Sequence, residues 1–218
     1  METPPPIAPA AGKVPWSGLL IGIQPRIDLS RAFDQRQHGY LGYLLLVDGE
    51  AAGAQRTFTV RIGPAAQAKH QFRSGDRISG VAAHVESKER EVADFYKASD
   101  LMVVERPTAT SSAPPPWLGT PPALEVYRER GHRRLDSRTY EHACRTCQWG
   151  CRMAVEMVVD PWNPGAVKRR FETFCYGPKS CPLYRAGATR KVPGREGMPY
   201  EEEDWVDDEA TSHRGDDD

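Results

Sequence analysis

His70 to Val85 reads HQFRSGDRISGVAAHV. An apolar Phe72 is followed by the turn Ser74-Gly75-Asp76 and then by a strand, Arg77 to Val85, with Gly80 at its middle. Gly and Asp are turn formers for physical reasons, freedom at φ and local side-chain hydrogen bonding. Glycine inside a strand marks a bend or a close approach. Upstream, Pro64 to Phe72 (PAAQAKHQF) is a short helix candidate. Before it, Arg56 to Ile62 (RTFTVRI) alternates with period two, placing Phe58, Val60 and Ile62 on one face. Gly39 to Val47 (GYLGYLLLV) and Trp16 to Ile23 (WSGLLIGI) are two further apolar strands. Downstream, Glu86 to Glu91 (ESKERE) is expected as a solvated hairpin tip, and Asp94 to Val104 as a last strand.

Five short strands with one brief helix between the third and fourth resemble the Greek-key barrel of the OB-fold nucleic-acid-binding proteins. The resemblance covers residues 14–105 and is of superfamily grade. It implies a mainly β protein in which Gly22 and Gly80 sit at sharp bends. Of its strand residues, Tyr40, Tyr43, Phe58 and Arg61 are the candidates for contact with a ligand.

Prolines divide the rest. Residues 1–13 are Pro- and Ala-rich and expected disordered, and residues 106–123 (RPTATSSAPPPWLGTPPA) read as an extended linker. Its Trp117 and Leu118 are candidates for docking, which would make it an ordered strap. Residues 124–199 form the next unit, a small Cys-rich, basic α+β module, and residues 200–218 an acidic tail.

All five cysteines lie between 144 and 181, spaced C-x2-C-x3-C and then C-x5-C. Two close pairs on turns suit a tetrahedral Zn²⁺ ion. Cys144 with Cys147 and Cys175 with Cys181 are the predicted ligands, a zinc-ribbon-like set, with Cys151 left over as a buried thiol or a replacement ligand. Three cysteines within eight residues and a following Cys-Pro also admit an iron–sulfur (4Fe–4S) cluster.

The net charge of −1 conceals an uneven distribution. Residues 123–200 hold 15 Lys and Arg against 8 Asp and Glu, while Glu201 to Asp218 hold ten acidic residues and one Arg. Arg145, Arg152, Lys168, Arg169, Arg170 and Lys179 lie among aromatic residues, a pattern that favours phosphates and stacked bases. The predicted function is non-enzymatic binding of single-stranded DNA or RNA. The alternatives are a protein-binding scaffold subunit and an iron–sulfur electron-transfer or sensor protein. The tail is expected to be loosely attached, to fold back over the basic surface with Trp205 as anchor, and to compete with nucleic acid. No phosphate loop, zinc-protease or serine-hydrolase motif is present. No apolar run approaches the ~18 residues of a membrane span. No secretory signal is recognised at the N-terminus, so a cytoplasmic protein is expected.

Overall fold

In the computed structural model, residues 12–32, 35–108, 113–160, 162–163, 165–202 and 205–215 are described. The first five strands are β1 (Lys13–Arg31), β2 (Arg36–Ala51), β3 (Ala54–Ile62), β4 (Arg77–His84) and β5 (Phe95–Glu105), with helix α1 (Pro64–His70) between β3 and β4. The chain is mainly β and builds one large mixed sheet.

β1 organises it. This strand is antiparallel to β2 from Trp16↔Ala51 to Arg31↔Arg36, with a bulge between Leu20 and Gly22. Its other edge is shared: Lys13 to Leu19 pair with β4, and Asp28 to Arg31 pair, in parallel, with β7 (Gly150–Val158). β3 meets β5 at Val60↔Phe95, and β5 is antiparallel to β4. The pairings therefore run β1–β2–β3–β5–β4 and return to β1. Beyond β7 come β8 (Val167–Cys175) and the short β6 (Arg133–Arg134), which follows helix α2 (Leu124–Arg130) in the chain.

Alternation decides what is buried. Trp16, Leu20, Tyr43, Leu45, Val47, Phe58, Val60, Phe72, Ile78 and Phe95 point inward and are at most 3% exposed. Ile23, Ile27 and Leu29 from the far half of β1 pack in the same cluster with Met153, Val155, Met157, Phe174 and Tyr176. Residues 14–105 and 124–199 thus share a sheet and a core, although composition alone divides them.

The described parts of the proline-rich stretch between them are held down. Arg106 pairs with the buried Asp76 at 2.8 Å, and the Ser74 amide donates to Gly119 O at 3.2 Å. The Gln148 amide donates to Trp117 O at 2.9 Å, and the Tyr43 hydroxyl to Pro122 O at 2.8 Å. The strap expected from Trp117 is present, with Leu118 left 42% exposed.

The tail differs from expectation. β9 (Arg190–Pro193) and β10 (Pro199–Glu202) form a hairpin, and α4 (Trp205–Thr211) follows. The anchor is not Trp205, which is 57% exposed, but Val206, Thr211 and Arg214, each at most 7% exposed. Among the tail's described carboxylates, Glu202 pairs with Arg31 and Arg36, and Asp207 with Arg134. Residues 1–11 lie outside the described residues, and Lys13 already belongs to β1. Among the described residues no helix is long and apolar enough to cross a membrane.

Candidate metal site and nucleic-acid surface

Asp136 opens the approach to the first cysteine pair by accepting the Thr139 amide at 2.8 Å, capping the one-turn helix α3 (Ser137–Thr139). A π-helical turn, Tyr140–Cys144, then delivers Cys144. The Cys147 amide donates to Cys144 O at 3.1 Å, and the Gly150 amide to Cys147 O at 3.0 Å. The resulting knuckle rests on β1. Gln24 Nε2 donates to Cys144 O at 2.8 Å and Cys147 O at 3.0 Å, while its Oε1 accepts from the Tyr140 hydroxyl at 2.7 Å. Gly22 lies directly beneath: a Cβ there would stand 2.8 Å from Thr146 Cα.

The second pair comes from the end of β8. Cys175 Sγ accepts the Gly177 amide at 3.4 Å, and the Cys181 amide closes a turn on Pro178 O at 3.2 Å. Cys144, Cys147, Cys175 and Cys181 all line one cavity of about 10 Å³, roofed by Pro115, Pro116 and Trp117 of the strap. Cys151 is elsewhere, fully buried in the main core with its thiol donating to Pro25 O at 3.4 Å. The four thiols share a cavity, yet among the described residues no three or more His, Cys, Asp or Glu stand in a metal-holding arrangement. Cavity walls and amide–sulfur contacts define the grouping; closure around an ion requires the thiols to draw inward.

Burial pushes the Cys144 thiol up to about 12 and Cys147 up to about 11, and raises Cys175, with neighbouring thiols adding to each. Thiolates are thus disfavoured while no cation is near, and a divalent ion reverses that balance. An all-sulfur donor set with amide donors beside it suits a soft tetrahedral ion. His132 does not line this cavity. It is buried against Phe174 and Tyr176, with its ring 4.8 Å from that of His38.

The predicted nucleic-acid residues scatter. Tyr43 and Phe58 are 3% and 1% exposed and belong to the core, so neither can stack on a base. Period-two parity puts each among inward neighbours. Tyr40 is half-buried beneath the Arg128 guanidinium, 4.8 Å from its ring. Arg61 is paired with Glu91 and lies over Tyr96 at 5.1 Å. Glu91 is therefore part of an ion-pair network with Arg26 and Arg61 rather than of a solvated tip. Arg169 pairs with Glu156 at 2.7 Å, and Lys179 Nζ donates to Arg214 O at 3.0 Å. Arg145 and Lys168 are exposed.

Arg152 and Arg170 are brought together. Both line a cleft of about 410 Å³ with Phe171, Arg190 and Lys191, and with the acidic Asp136, Glu141 and Glu172. The Arg152 guanidinium stands 4.8 Å over the Phe171 ring. Alternation shows this face: Arg152 pairs with Thr173 and Ala154 with Phe171, opposite to the buried Cys151 and Met153. Sequence reasoning missed Arg31 and Arg36, which flank the β1–β2 turn and meet Glu202 of the tail. Nothing local marks them, because their partner is more than 160 residues away. Comparison with known protein families, with curated proteins and with solved structures finds no match.

Proposed function

We propose that this chain is a non-enzymatic single-stranded nucleic-acid-binding protein, built as an OB-type barrel over residues 14–105 and extended by a zinc-stapled sheet. The strand cycle β1–β2–β3–β5–β4–β1, with α1 between β3 and β4, supports the barrel reading because it is the OB order. Cys144, Cys147, Cys175 and Cys181 would hold Zn²⁺, whose chemistry here would be structural: four thiolates would tie the knuckle on β1 to the chain leaving β8, with Pro115, Pro116 and Trp117 of the strap against them.

The observation that carries the ligand class is the Arg152–Phe171 cleft. The Arg152 guanidinium lies over an aromatic ring and pairs with Glu141 at 3.5 Å, and Arg170, Arg190 and Lys191 beside it pair with Glu172 and Glu201, so a phosphate would exchange for a carboxylate next to a stacking platform. Fluorescence anisotropy with a labelled single strand of about 16 nucleotides tests it. Binding should weaken steeply with salt, and Arg152→Ala should reduce the salt slope by about one. No binding at ~50 mM salt would abandon the nucleic-acid reading. Metal analysis tests the rest: about one zinc per chain, retained in Cys151→Ser and lost in Cys144→Ser, is expected. A brown protein absorbing near ~400 nm would replace zinc with an iron–sulfur cluster.

A further inference from the structure

The acidic tail reaches the arginines at specific atoms. Glu202, the last residue of β10, meets Arg36 at 2.8 Å and Arg31 at 3.0 Å. The Arg31 side chain is 2% exposed and also reaches Glu172 at 3.3 Å. Glu172 in turn takes Arg170 at 2.6 Å and Arg190 at 2.9 Å. From α4, Asp207 accepts both the Arg134 guanidinium at 3.1 Å and the Arg134 amide at 2.7 Å.

Five guanidiniums, Arg31, Arg36, Arg134, Arg170 and Arg190, therefore surround three carboxylates, Glu172, Glu202 and Asp207. Two of those three come from the chain after Pro199. Burial lowers the pKa of Arg190 to about 10, the direction expected where cations crowd together away from water. The segment that supplies these carboxylates is seated by Val206, Thr211 and Arg214, with Tyr200 packed against the main core, while the Glu202 side chain is held by its two guanidiniums. A carboxylate buried against two guanidiniums leaves only for an anion that takes up the same contacts, because an unpaired buried charge is costly. A phosphodiester matches a carboxylate in charge sign and in its fit to a guanidinium fork. Beside the contact runs a groove of about 300 Å³, lined by Arg31, Gln35, Arg36, Tyr200, Glu202 and Trp205.

Resting on the nucleic-acid reading above, we propose that Arg31 and Arg36 form a backbone-phosphate site which Glu202 occupies in the free protein, and that a bound single strand displaces the β10–α4 strap from it. Arg190 and Arg170 line the Arg152–Phe171 cleft and share Glu172 with Arg31, so one chain of ion pairs joins the cleft to the Glu202 contact.

The test compares full-length chain, Glu202→Gln and Glu202→Gln/Arg36→Ala with a labelled single strand of about 16 nucleotides at ~50 mM salt. Glu202→Gln should bind on the order of fivefold tighter or more, a usual size for coupling between competing contacts. Adding Arg36→Ala should reverse the gain. Equal affinity of Glu202→Gln and full-length chain overturns the strap while leaving the function reading intact. No binding by any of the three overturns both. A second measurement covers a variant that folds poorly: amide exchange of Tyr200 to Glu202 in the unaltered chain should rise when the oligonucleotide saturates it. Unchanged protection overturns the proposal.

Discussion

Gln24 uses its whole carboxamide in one place, donating to Cys144 O and Cys147 O and accepting from Tyr140. Gln24→Leu keeps the volume roughly constant but leaves the Tyr140 hydroxyl without its acceptor and takes one of two donors from each of Cys144 O and Cys147 O. An unsatisfied buried polar group costs about 1–3 kcal/mol and each lost hydrogen bond about 0.5–1.5 kcal/mol. A loss of about 3 kcal/mol is expected, a fall of roughly 6–12 °C in Tm for a chain of this size. Metal affinity should fall with it, because the knuckle loses its seat. A Tm within a degree of the parent would mean that the clamp is not formed. His38 gives a pH prediction. Burial, then Arg36 and Arg31, lowers it to about 4, and His132 against it is also lowered by burial. Both are neutral when folded and take up a proton near pH 6.5 when unfolded. The neutral pair thus contributes stability fully above about pH 6.5, and this is lost as pH falls toward 4. With partial exposure discounted, His38 contributes of order 2 kcal/mol to that loss. Melting curves between pH 7 and pH 5 should show it, and His38→Gln should flatten the slope. An equal slope in the variant would assign the acid sensitivity to other groups.

Among the elements, β1 carries the most and was the least legible. The short strand expected at Trp16 to Ile23 extends from Lys13 to Arg31, through Pro25. Ile27 and Leu29 do alternate with Arg26, Asp28 and Ser30, but the partner that makes use of this, β7, lies more than 120 residues away. Local pattern records which residues are apolar, not which distant strand covers them. By contrast β3, β4, β5 and α1 lie within about two residues of their expected bounds, because alternation, a proline start and a Ser-Gly-Asp turn are local signals. Cys144, Cys147, Cys175 and Cys181 line one cavity, and Cys151 lies in the core by strand parity with Met153 and Val155. Parity likewise places Phe58 with the buried Val60 and Ile62. Gly22 ties β1 to the knuckle and supplies a prediction for this element. Any Cβ there meets Thr146 main chain, so Gly22→Val must lift the knuckle off the strand. Overpacking of this kind costs about 1–3 kcal/mol, and metal retention should drop in parallel. A variant that keeps both metal and Tm would show that the knuckle does not rest on β1.

For the whole molecule, the question is whether the basic Cys-rich half melts by itself. Its charge and its prolines set it apart in the sequence. Its core does not: Met153, Val155, Met157, Phe174 and Tyr176 pack with Ile23, Ile27 and Leu29, and β7 continues the sheet from β1. The cysteine cavity repeats the pattern, since its walls come from the strap, the knuckle seated on β1 and the end of β8. Metal bound only by the folded state stabilises that state as a whole where unfolding is cooperative. Two separable domains would lose metal and unfold one after the other. A shared core, with the proposed zinc site in it, predicts instead one calorimetric transition that moves down on addition of a chelator. The shift should reach several kcal/mol, since a ligand at a thousandfold its Kd contributes about 4 kcal/mol. Scanning calorimetry with and without chelator decides between the two. Two resolved transitions after chelation, the upper one unmoved, would show that residues 14–105 stand alone and that the joined sheet adds little to their stability.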